Sequence, residues 1–195
     1  MNFGLAEKLN KFVLANQLEK AIEFAEKELI ALPKTDFHKI IGKDLIHLTE
    51  ALTNYICEFH KTARNKINVK AIYSEMNGFT INYDLWFIDL FEFKECGGLD
   101  NLDWLSDFEV SSDDSMTITG FEELQTVYED YMENEKWKDK KLEEACEICE
   151  LLIILRLQEL FQWAKKSAIS KKLHWAEIPI FVTAHDYDMI YEARS

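Results

Sequence analysis

Two short cysteine-bearing runs are the first places in this sequence where residue types and spacing could do chemistry. Cys146-Glu147-Ile148-Cys149 has the spacing of a redox or zinc pair. Cys57, with His60 three residues on, could complete a tetrahedral thiolate–imidazole shell around zinc. Reactive pairs of this kind sit at a helix N-terminus, where the helix end lowers a thiol pKa. Here Leu142 precedes and Leu151 follows, so the pair falls inside a helical apolar pattern, and both cysteines read better as small core residues. The sequence therefore predicts no metal and no cofactor. Cys57, His60, Cys146 and Cys149 are the ligands a zinc ion would take if the fold brought them together.

The remaining chemical candidates are weaker. Asp44 and His47 form a lone i, i+3 carboxylate–imidazole pair, which reads as a surface contact rather than half of a di-metal bundle site. Cys96 precedes Gly97-Gly98, which invites a nucleophile reading. Its neighbours Glu92, Glu95 and Asp100 would oppose a thiolate, and a base such as His174 or His185 would have to come from far along the chain. His185-Asp186 could orient an imidazole, but one such pair is thin support for acid–base work. No phosphate-cradling glycine loop, calcium-loop spacing or serine elbow is present.

Charge is the more informative feature. The chain of 195 residues has a net charge of −14. Between residues 71 and 135 there are seventeen acidic side chains against one base, Lys94, so the ends are nearly balanced and the middle third carries the charge. Such a region repels a nucleic-acid backbone and attracts a basic protein surface. Aromatics run through the same segment: Phe79, Tyr83, Trp86, Phe87, Phe91, Phe93, Trp104 and Phe108. Strand alternation places Leu85, Phe87, Asp89, Phe91 and Phe93 on one face and Trp86, Ile88, Leu90 and Glu92 on the other. Either the strand is packed between layers, or one face is an exposed aromatic patch ringed by carboxylates, the composition of a partner-binding surface.

The elements that must position these residues follow from periodicity. Leu5, Leu9, Phe12 and Val13, then Ile22, Ala25 and Leu29, predict two antiparallel helices with a turn near Asn16. A third helix is predicted over 36–64. Strands are predicted on either side of Asn77-Gly78, a two-residue hairpin signal, and over 85–93, 103–109 and 116–119. Thr119 with Glu122 has capping-box spacing and opens a helix to about residue 135. A long buried helix is predicted over 139–166. Ile178 to Val182 closes the sheet, as an edge strand because Pro179 cannot donate to a ladder.

These elements predict a single α+β domain, a central antiparallel meander sheet with the N-terminal helical hairpin and the long helix packed on it. Residues 1–66 form the helical part, 67–120 the acidic, aromatic-rich sheet, 121–168 the later helices and 175–192 the closing strand. The run from Asn16 to Pro33 resembles the second helix of a tetratricopeptide unit, through Ala21, Phe24 and Pro33. The resemblance covers about one repeat. Thirty-four residues on, Tyr55 stands where the small residue belongs, so the run reads as an ordinary helical hairpin.

The start of the chain lacks the uninterrupted apolar stretch of a secretory signal, and no segment approaches the ~20 apolar residues of a membrane span. A cytoplasmic protein with reduced thiols and no membrane association is the expectation. The functional expectation is a non-enzymatic acidic binding protein of the inhibitor or immunity type, capping a basic protein partner. The residues predicted to carry it are Trp86, Asp89, Glu92, Asp100, Asp103, Trp104 and Asp107. The alternative is an enzyme or zinc protein using cysteine, histidine and carboxylate groups from separate segments.

Overall fold

The computed structural model describes residues 3–194. Helices α1 (Phe3–Leu14) and α2 (Leu18–Ile30) form the expected hairpin. Asn16 takes a left-handed conformation between them, φ 56°. Its side-chain oxygen accepts from the Tyr191 hydroxyl at 2.6 Å and from Gln162 at 3.1 Å, which ties the turn to the C-terminal half of the chain. The predicted helix over 36–64 is not continuous. Short 3-10 turns occupy Asp36–Ile40 and Ile46–Leu48, and α3 begins only at Thr49–Ala63. Gly42, at φ 73°, interrupts the helical path between those turns.

Strand β1 (Ala71–Asn77) pairs antiparallel with β2 (Phe87–Phe93), Ala71 opposite Phe93 and Asn77 opposite Phe87. The Asn77-Gly78 signal does not make a two-residue turn. Residues 78–86 form a longer connection because Phe79 and Trp86 are both drawn into the core, with ring centroids 5.6 Å apart. Gly78 leaves room for this packing, since a Cβ there would crowd the Trp86 ring at 3.0 Å. Two short strands, β3 (Val110–Ser111) and β4 (Met116–Thr117), both pair with β2. The segment predicted as a strand over 103–109 contains a 3-10 turn instead.

Helix α4 (Glu122–Glu133) leads to α5 (Lys140–Lys171), which is capped by the Asp139 side chain. Leu151, Leu152, Ile153, Ile154 and Leu155 are all sealed from solvent, as expected of a helix that is apolar all round. It packs against α2, α3 and the last long strand, β5 (Ile180–Ala184). The sheet differs from an antiparallel meander at this strand. β5 runs parallel to β1 and lies inside the sheet, between β1 and β6 (Tyr191–Glu192), in the order β3-β2-β1-β5-β6. Pro179 does not force an edge position because it precedes the strand and contributes only its carbonyl, to Ile72 N–H. The long passage through α4 and α5 supplies the crossover that a parallel pairing needs.

One face of the sheet, carrying Ile72, Met76, Trp86, Ile88 and Leu90, packs into the helical layer. The opposite face is covered only in part. Residues 97–108 fold across it, so that Leu99, Leu102, Trp104 and Leu105 pack on a second cluster of Ala71, Tyr73, Phe93, Phe181 and Ile190. Gly97 permits the closest part of this cover, because a Cβ there would lie 2.3 Å from the Trp104 ring. Among the described residues no helix is long and apolar enough to cross a membrane.

Candidate partner-binding face

Of the residues predicted to meet a partner, two face inward. Trp86 is sealed in the helical layer, edge-on to Phe121 and Tyr128. Glu92 is equally buried, and its Oε1 lies 2.8 Å from His60 Nδ1. Alternation assigned both to one face correctly, but that face is the one the helices cover, so neither is placed to touch a partner. The exposed-patch expectation therefore falls to their neighbours on the opposite face.

That face carries Phe87, Asp89 and Phe91, each half-buried. Phe108 is 47% exposed and stacks on Phe91 with centroids 4.9 Å apart. Asp89 sits directly across the ladder from Glu75. Like charges opposite one another on one sheet face repel, and each carboxylate is met by its own donors. Asp89 accepts from the Ser115 hydroxyl and from Asn77 at 3.3 Å. Glu75 accepts from the Tyr73 hydroxyl at 3.1 Å, and its other oxygen lies 2.6 Å from His185 Nδ1. That hydrogen bond holds the His185 pKa above the ordinary imidazole value. The sequence pointed to Asp186 as the partner of His185, but the nearer carboxylate is Glu75, 110 residues away, and only the parallel pairing of β1 with β5 brings it there.

Asp100, Asp103 and Asp107 are all exposed on the segment that covers the second cluster. Trp104 is half-buried. Its ring packs edge-on to Phe93 at 4.7 Å and Phe181 at 5.3 Å, and its Nε1–H donates to the Gly98 carbonyl. Trp104 thus fastens the acidic segment to the sheet. Beside it lies a recess of about 310 Å³ lined by Phe93, Lys94, Glu95, Trp104, Asp107 and Glu109. Lys94 is engaged by Glu109 at 3.6 Å. Asp100, Asp103, Asp107, Asp113 and Asp114 have no ion-pair partner among the described residues.

The cysteine and histidine candidates do not converge. His60 is turned to Glu92, and Cys146 and Cys149 are buried along α5. Among the described residues no three metal-ligating side chains form a shell. All four cysteines are free thiols, and burial pushes the Cys146 and Cys149 pKa values far up, which makes both poor nucleophiles. Cys96 is exposed beyond the Ala71 end of the sheet, whereas His185 follows the opposite end of β1 and β5. They cannot act as a nucleophile–base pair.

A buried carboxyl that sequence reasoning missed lies on α5. Glu150 is 8% exposed; it accepts from the Tyr187 hydroxyl and lies within reach of the Cys146 thiol. Burial pushes its pKa up from the ordinary carboxylate value. The native carboxyl therefore holds its proton more tightly than the unfolded one. Between those two pKa values the native state binds more protons, so this group's contribution to stability falls as pH rises. Replacing Glu150 with Gln, which can still accept from Tyr187, should raise stability relative to the wild type more at pH 7 than at pH 4. Urea unfolding at both pH values checks it; an equal difference at the two would remove Glu150 as the source. Comparison with known protein families, with curated proteins and with solved structures returns no match.

Proposed function

We propose that this chain is a non-enzymatic binding protein that captures a basic protein on the outer face of its sheet, in the manner of an inhibitor or immunity protein. The observation that carries this reading is the set of exposed carboxylates Asp100, Asp103, Asp107, Asp113 and Asp114, which have no ion-pair partner among the described residues, laid beside the half-exposed Phe87, Phe91 and Phe108. Uncompensated like charge weakens the compact state. A surface that steers a cationic partner gains from the same charge, and aromatics at its centre supply the apolar area that slows departure. The recess beside Trp104 has Glu95, Asp107 and Glu109 on its walls against one lysine, Lys94, and its size and net negative charge suit a lysine or arginine side chain.

The test starts from affinity capture in native cell lysate and then measures the kinetics of the captured protein. The partner should be basic, and raising salt from low to high should slow association by at least about tenfold, within the range that electrostatic steering spans. The triple change Asp100→Asn, Asp103→Asn, Asp107→Asn should slow association while leaving thermal stability unchanged or higher. Phe91→Ala should act mainly on dissociation. A partner that is not basic, or an association rate indifferent to both salt and the triple change, would remove the reading.

A further inference from the structure

A second site of opposite charge lies at the C-terminal end of α3. The segment joining α3 to β1 borders an open cavity of about 520 Å³, within the range of small-molecule sites. His60, Arg64 and Lys66 line it, and no carboxylate is among its lining residues. In a chain with net charge −14, Arg64 and Lys66 have no ion-pair partner among the described residues. Ile67, Val69 and Ile178 supply an apolar wall.

The floor of this cavity is a buried imidazole backed by a buried carboxylate. His60 is 5% exposed and Glu92 is wholly buried. Glu92 Oε1 lies 2.8 Å from Nδ1, which fixes the ring orientation. Nε2 has no partner among the described residues and is not sealed from solvent. The other carboxylate oxygen, Oε2, is buried without any hydrogen-bond partner. Buried polar groups are seldom left so, and a buried imidazole–carboxyl pair contributes little to stability, so the arrangement calls for a use other than folding.

We propose that this cavity binds the phosphate group of a small phosphate monoester. Arg64 offers a planar fork of donors that matches phosphate oxygens, and Lys66 adds a point charge. His60 bridges the ligand and Glu92, offering Nε2–H to the phosphate while Nδ1 keeps its hydrogen bond to the Glu92 carboxyl group. The apolar wall of Ile67, Val69 and Ile178 receives the organic part of the ester, and the volume exceeds what a bare phosphate would fill. The site is built from side chains, so the lack of a glycine-rich phosphate loop does not bear on it. It is independent of the acidic face.

The experiment is a titration of the full chain, followed by amide and imidazole nitrogen NMR, with phenyl phosphate, inorganic phosphate and acetate as separate probes. Phenyl phosphate is expected to bind more tightly than inorganic phosphate, and both more tightly than acetate. Shifts should cluster over residues 60–69, with His60 Nε2 moving more than Nδ1. Arg64→Gln should weaken binding by about tenfold or more, the scale of one charge-assisted hydrogen bond. Lys39→Gln, which removes an exposed lysine elsewhere, should leave it unchanged. Inorganic phosphate binding as tightly as the ester would overturn the assignment to an ester. Shifts scattered over surface lysines, an unmoved His60 Nε2, or equal effects of the two substitutions would overturn the site itself.

Discussion

Replacing Leu152 or Leu155 with Ala should each lower the free energy of unfolding by about 2–5 kcal/mol, the range for fully buried leucines. Both side chains are sealed from solvent, on the stretch of α5 that is apolar on every side. The helix lies between the N-terminal hairpin and the sheet, so a cavity opened there has packed elements on both sides and little freedom to collapse. A domain of this size is stable by only about 5–15 kcal/mol, so either change should shift the urea midpoint clearly. Ile169→Ala, on the same helix but 39% exposed, should stay within about 0.5 kcal/mol. Losses under about 0.5 kcal/mol at both leucines would mean that α5 is not the centre of the core.

The centrality of α5 was legible because it rests on a local signal. An uninterrupted run of apolar residues at helical spacing cannot be satisfied at a surface. The same holds for α1 and α2, whose stripes and the turn at Asn16 can be read within thirty residues of chain. The middle of the sequence was harder for a physical reason. Asn77-Gly78 is a local turn signal, but burial of Phe79 and Trp86 against Tyr128 of α4 stabilises a longer connection, and that gain involves residues far away in sequence. β5 was misplaced in a similar way. Its proline was visible, but whether the residue falls inside the ladder or one step before it depends on the register with β1.

The candidate site shows a sharper limit. Period-two alternation sorted Trp86 and Glu92 from Phe87, Asp89 and Phe91 without error, because it depends only on strand geometry. Which of the two faces the helices cover is decided by packing between distant elements, and the strand itself is apolar on both sides. Trp86 and Glu92 were therefore assigned to the surface and lie in the interior. Trp104 was recognised as important, but its contact with Phe181 and the close approach allowed by Gly97 make it a fastener of the acidic segment. The Glu75–His185 contact and the His60–Glu92 pair join residues that carry no mutual signal in the sequence. His60 was noted only as a possible zinc ligand.

That pair makes the last prediction. His60→Leu alone should cost about 3–5 kcal/mol, because it leaves Glu92 buried with no partner at either oxygen. Glu92→Leu alone should cost less, since the imidazole left behind still has Nε2 unsealed from solvent. The double variant His60→Leu, Glu92→Leu should recover most of the first loss. Two apolar side chains of similar volume between α3 and β2 replace a buried polar pair whose desolvation is expensive, and such exchanges are often neutral or stabilising. A double-mutant cycle by urea unfolding measures this directly, and the coupling should be at least about 2 kcal/mol. Additive single effects would show that the two groups do not depend on each other. If the double variant is as stable as the wild type but no longer binds phosphate esters, the pair is kept for the cavity it floors. If it is stable and binds them unchanged, His60 and Glu92 belong to the fold alone.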